Sequence, residues 1–260
     1  MKRTTLPRWG LIIGFLIGLP LVVTAEENPT APASLAKEVK EQRAQTGQVI
    51  KTLIYQPPRK GAPAAGLRRG GGTRGMNKSV PVISLIAPDH VGLTLHEQPV
   101  LFWFTPTKQD HPFEFTLIGE NDDMPVVETK LSAPAQPGLQ QIRLSDYKVK
   151  LSPGERYLWS VALIMDAEER SANIVAKGAI ERIEREKLEQ PLATNLSNAE
   201  APTRYAEAGI WYDAVMAISD LIESNPADTE LRQQRASLLE QAGLAEVAMN
   251  DLKVRAHRAE

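Results

Sequence analysis

The chain has no cysteine in 260 residues. No disulfide framework can brace it, and thiol catalysis, cysteine-ligated zinc and iron–sulfur clusters are excluded. Aromatic residues make up only 5% of the total, so each tryptophan in the body has to be accounted for as core or as contact surface. A Gly-x-Ser-x-Gly elbow is missing. So is a phosphate loop, because Gly75 is not followed directly by Lys-Ser/Thr or by a helical pattern. The one long apolar run, Trp9 to Val23, contains Pro20 and has 15 residues, short of the roughly 20 needed to cross a bilayer as a helix.

That run reads as an address. Lys2, Arg3 and Arg8 precede it and Val23-Thr24-Ala25 closes it with a small-residue exit, the layout of a secretory signal, so the mature chain is expected to begin at Glu26. Export to the periplasm or the medium follows, with no stable membrane span after cleavage. A retained, uncut segment would instead make the protein a membrane-held scaffold.

The hydrophobic content of 42% is enough for a real core, and the formal net charge is only −2. The charge is unevenly spread. Residues 51–79 carry Lys51, Arg59, Lys60, Arg68, Arg69, Arg74 and Lys78 with no acidic residue, while the remainder beyond residue 25 sums to −12. Arg59, Lys60, Arg68, Arg69, Arg74 and Lys78 are therefore candidate binding residues for an anionic polymer or an acidic envelope protein. Nucleic acid is not expected as a partner of an exported chain. Residues 56–75 are so rich in Pro and Gly that they read as a linker, solvated or wrapped along the chain, and Ser34 to Arg43 as a short polar helix.

From Val80 the texture becomes short apolar runs broken by turn residues about every ten positions, which predicts an all-β sandwich of immunoglobulin or fibronectin type over residues 80–184. Strands are expected near 82–86, 93–95, 100–105, 113–118, 126–130, 140–144, 157–165 and 174–183. Alternation at Tyr157, Trp159 and Val161 puts these three on one face, and Trp103 and Trp159 are expected core aromatics. Glu120 to Asp123 reads as a hairpin turn.

Beyond Glu184 the period changes to that of helices, defining a module over 185–260 after a signal (1–25), a linker (26–79) and the sandwich. Ile210, Trp211, Ala214, Val215, Ile218, Leu221 and Ile222 make one apolar stripe, ended by Asn225-Pro226, with Asp228 as cap of the next helix. Ala208-Gly209-Ile210 and Ala214 reappear 34 residues later as Ala242-Gly243-Leu244 and Ala248, the tetratricopeptide period. Fewer than two full repeats cannot form an independent superhelix, so the apolar faces need cover from the β-domain or a partner. Trp211 and Tyr212 are candidate contact residues on this helical face.

His90, His96 and His111, beside Asp89, Glu97 and Asp110, have metal-ligand chemistry but no spacing that fixes a geometry, so no metal or cofactor is assigned. They support a metal-dependent envelope hydrolase only as the alternative to a non-catalytic interaction protein.

The ordered set Gly70 to Gly75, Gly92-Leu93-Thr94-Leu95 with Phe102-Trp103-Phe104, Tyr157-Leu158-Trp159, Asp166 to Ser171 and Gly209 to Ala214 resembles the DUF928 family. The resemblance covers roughly residues 57 to 250. It implies a cyanobacterial, extracytoplasmic protein and brings no activity, cofactor or catalytic residue with it.

Overall fold

Turn residues cut the central apolar runs into strands. The computed structural model describes residues 52–58, 68–70, 82–189 and 191–253. The expected signal, the short helix at 34–43, and Arg59, Lys60, Arg74 and Lys78 lie outside the described residues. The chain divides into two units, 1–49 and 50–260, and everything below concerns the second. Its strands are β1 (Arg69–Gly70), β2 (Ile83–Leu85), β3 (Gly92–Thr94), β4 (Val100–Thr105), β5 (Phe113–Gly119), β6 (Pro125–Leu131), β7 (Gly138–Arg143), β8 (Arg156–Leu163) and β9 (Ile174–Arg182). Four helices follow among the described residues: α1 (Ala201–Glu207), α2 (Trp211–Ser224), α3 (Thr229–Gln241) and α4 (Ala245–Lys253).

The strands form two sheets, β1-β2-β4-β7 and β3-β9-β8-β5-β6. All pairs are antiparallel except β3 with β9, which run parallel. Strict alternation builds the core of the larger sheet. Phe113, Phe115 and Leu117 of β5 are buried and lie opposite Leu163, Val161 and Trp159 of β8, while Glu114, Thr116 and Ile118 are half-buried on the other face. Each such side chain stabilises the fold by about 1.5–3 kcal/mol on burial. Trp103 of β4 meets this layer, its ring centroid 6.1 Å from that of Phe113.

All six positions of β4 are buried. Trp103 and its same-face neighbours point to the larger sheet, whereas Phe102 and Phe104 point to the side where Ser219, Arg235 and Leu239 of the helices lie. A strand covered on both faces reads as an unbroken apolar run, which Val100 to Phe104 is. One continuous core therefore joins both sheets and the helices.

The helical part begins at Ala201, later than the change of texture at Glu184 suggests. Between them stand a single 3-10 turn, Arg185–Lys187, and a Pro-, Asn- and Ser-bearing stretch with no apolar period. Helix α2 ends at Ser224 before Asn225-Pro226. Asp228 caps α3, its Oδ1 accepting from the N–H groups of Glu230 (2.9 Å) and Leu231 (3.4 Å). The turns α1–α2 and α3–α4 repeat each other. Gly209 (φ 76°) and Gly243 (φ 75°) take the left-handed conformation, and the next N–H reaches back in the same way, Ile210 to Tyr205 O (2.8 Å) and Leu244 to Leu239 O (2.9 Å).

Two pieces of the expected linker are fastened to the body. In the extended stretch 52–58 the side chains alternate as far as Gln56, burying Leu53 and Tyr55 and leaving Thr52, Ile54 and Gln56 exposed. Its backbone is held by both helical hairpins: Gln56 N–H donates to Ala206 O (3.0 Å), Tyr55 N–H to Gln241 Oε1 (2.9 Å), and Gln241 Nε2 to Leu53 O (2.6 Å). We call this stretch the strap.

Candidate functional site

Helix α2 carries three polar groups into the interior from three consecutive residues of its first turn. Trp211 and Tyr212, expected on a contact face, are 0% and 1% exposed. Trp211 Nε1 donates to Ile86 O (3.0 Å), and Tyr55 of the strap packs edge-on against its ring. Trp159 Nε1 donates to the Tyr212 hydroxyl (2.9 Å), which in turn donates to Ala179 O (3.0 Å). Burial pushes the Tyr212 hydroxyl well above the ordinary phenol value, so it stays a donor. Both residues thus belong to the core, because the sheets and the strap cover this face of the helix.

Asp213, next in the helix, is fully buried. Its carboxylate accepts from the Thr94 hydroxyl (2.5 Å) and from Leu95 N–H (3.0 Å), clasping the end of β3 to the first turn of α2. His96 Nε2 stands 3.9 Å from Oδ2, with its side chain 45% exposed. Burial raises the Asp213 carboxyl above the ordinary carboxylate range, while His96, the Thr94 and Leu95 hydrogen bonds and Arg185 pull it down.

The three histidines sit in different settings. His90 stacks on Tyr55 and its Nδ1 faces Val91 O at 2.9 Å; a carbonyl only accepts, so in the neutral ring Nδ1 carries the hydrogen and Nε2 accepts from the Tyr55 hydroxyl at 3.0 Å. His96 faces Asp213, and His111 is an exposed turn residue. Among the described residues no group of three His, Asp or Glu side chains comes together to hold a metal ion. Of the basic stretch, Arg68 donates to Ala87 O (2.9 Å) and Ala242 O (2.6 Å), and Arg69 to Glu246 (2.6 Å). Arg68 is spent on carbonyls of the fold, while Arg69 stays exposed in a surface ion pair.

A groove of about 1030 Å³ lies open between the smaller sheet and the helices. Phe102, Leu139 and Ile222 give it an apolar floor; Gln136, Gln140, Gln141 and Asn250 line it with amides. Its helical wall is charged. Arg235 forks onto Asp251, Nε to Oδ2 at 2.7 Å and Nη2 to Oδ1 at 2.6 Å, and its Nη1 donates to Ser219 Oγ (3.0 Å). Arg232, whose side chain is 12% exposed, reaches the same carboxylate only at 3.8 Å. With Lys253 on the rim and Glu223 opposite, cations outnumber anions three to two along the groove.

Sequence reading did not single out this wall, although a signal was there. Arg235 follows Leu231 by four and precedes Leu238 by three, and Asp251 follows Val247 by four, so both occupy positions of the apolar stripes. A charge on such a stripe announces a buried partner.

A family model described as Domain of Unknown Function (DUF928) matches residues 69–252, well over half of the chain. No curated protein matches it. Among solved structures, the crystal structure of a multi-domain immunophilin from Arabidopsis thaliana aligns with 9% identity over 76% of this chain and 98% of its own, at a TM-score of 0.15, which is too low to carry any argument.

Proposed function

The chain belongs to the DUF928 family, which carries no activity with it, and from the groove on the smaller sheet we propose that it is an exported, non-catalytic binding protein of the cell envelope. The groove is the observation that carries this reading. It is concave, has an apolar floor with polar groups converging on it, and its most buried charges neutralise each other in a forked pair that shapes the wall. Such a surface holds a ligand; its two most buried charges, Arg235 and Asp251, are spent on one another.

In this reading the two sheets are an immunoglobulin- or fibronectin-like sandwich, and α1–α4 are two tetratricopeptide-like hairpins, supported by the paired glycine turns. The signal-like start supports export, and the family resemblance supports a cyanobacterial envelope. The partner is an envelope protein or an anionic polymer, drawn in by the basic stretch 51–79.

Intact mass of protein recovered from its own cells tests export: a chain beginning at Glu26 is expected, and one beginning at Met1 overturns it. Capture of envelope extract on the mature protein tests binding. Capture should fall steeply as salt rises and fall again when Arg59, Lys60, Arg74 and Lys78 are changed to Ser. Failure to capture anything at low salt overturns the binding reading.

A further inference from the structure

We propose that the groove takes an extended acidic peptide segment as an added strand on β7, with one of its carboxylates on Arg232. The proposal rests on the binding reading above and names its ligand class.

Strand β7 ends the smaller sheet: β4 is its sole strand partner among the described residues. In an antiparallel strand every second residue sends both its N–H and its C=O away from the partner, so the far side of β7 offers a row of backbone donors and acceptors. Gly138, Leu139, Gln140 and Gln141, four successive residues, line the groove. A strand presenting one face would contribute every second residue; with four in a row, and Phe102 of β4 beside them, the groove extends from the face of the sheet to the backbone of its last strand.

The other long edge of the molecule is guarded and this one is not. Strand β6 opens on Pro125, turns Glu128 and Lys130 outward or to the flank, and its pairing with β5 shifts register at Leu117/Ile118. Proline, charge and a bulge are the devices that stop an edge from recruiting another strand. Strand β7 has none of them before Arg143.

Charge favours an acidic segment. Arg235 forks onto both oxygens of Asp251, which leaves Arg232, mostly buried, with only a longer ion pair to that carboxylate at 3.8 Å and with hydrogen-bonding capacity to spare in the groove wall. A guanidinium in that setting is satisfied by a carboxylate with planar, two-pronged geometry. Glutamate on an added strand reaches it while the alternate side chains lie on Phe102, Leu139 and Ile222.

The test uses the full mature chain and two pools of end-capped nonapeptides, one with Glu and one with Gln fixed at the fifth position, the other positions drawn from Val, Ile, Thr and Ser. The Glu pool should be retained about tenfold over the Gln pool, a preference of the size that a charge-assisted fork gives. That preference should vanish in Arg232→Gln and survive in part in Arg232→Lys, which guards against a variant that fails to fold. Methylating alternate backbone nitrogens of a retained peptide should abolish its retention, and amide exchange across residues 139–143 should slow when it binds. Retention of neither pool, indifference to backbone methylation, or unchanged exchange along β7 overturns the proposal. Peptides that bind while protecting another surface also overturn it, yet leave the binding-protein reading standing; that reading falls only if nothing from the envelope is captured.

Discussion

Tyr212 brings a hydroxyl into the core and uses it twice, accepting from Trp159 and donating to Ala179. Tyr212→Phe keeps the ring and strands both partners. We predict a loss of about 1–3 kcal/mol in unfolding free energy, read from the urea midpoint; an unchanged midpoint would mean that the relay contributes nothing. Its neighbour Asp213 makes stability depend on pH. Burial raises its carboxyl in the folded state, so the native protein keeps that proton to higher pH than the unfolded chain does. The associated stability is full below the ordinary carboxylate value and is lost as pH rises through the raised one. Measured against Asp213→Asn, the wild type should therefore lose stability as pH increases from about 4; a difference that stays flat across the acid range refutes this. The sequence showed Trp211 and Tyr212 on an apolar helical face but not what covers them. Periodicity reports which side of a helix avoids water, and nothing about the surface it meets.

At the scale of elements, the two glycine turns make a matched experiment. Gly209 and Gly243 share a left-handed backbone that costs a side-chain-bearing residue about 1–2 kcal/mol. They differ in their neighbours. A Cβ on Gly209 would come within 2.7 Å of the strap's Gln56 carbonyl, whereas on Gly243 the nearest atom is the end of the Arg68 side chain at 3.6 Å. Gly209→Ala should accordingly destabilise more than Gly243→Ala in thermal melts, and equal losses would show that the strap yields freely. The repetition itself was legible, since a positive-φ turn leaves glycine in the sequence at a fixed period. The alternation of Tyr157 and Trp159 was legible for a similar reason. The strap was not: Leu53 and Tyr55 are two apolar residues beside Pro57-Pro58, too few to carry a period, and their burial depends on helices far along the chain. Nor was the groove, which arises where β7 and the helices come near each other, although Arg235 on an apolar stripe hinted at it.

At the scale of the molecule, sheets, helices and strap share one core without a cysteine to staple them. The helical part is tied to the sheets through the polar groups it buries: Trp211, Tyr212 and Asp213 are satisfied by Ile86, by Trp159 and Ala179, and by Thr94 and Leu95. Residues 191–253 produced alone should therefore self-associate or lose helical circular dichroism. A soluble, monomeric, helical fragment would contradict this. Tyr55→Ala in the full chain should cost about 3 kcal/mol, the range for emptying an aromatic site, with intrinsic tryptophan fluorescence reporting the opening beside Trp211.

The strap also fixes an order of events. Leu53 and Tyr55 leave the ribosome early, while Gln241, which grips the backbone at both, is made 186 positions after Tyr55. During synthesis the first of these partners has to wait, unclosed, for the last. Contacts of long sequence separation slow folding, and this clasp, its two halves born far apart in translation, is expected to close only once the helical hairpins stand.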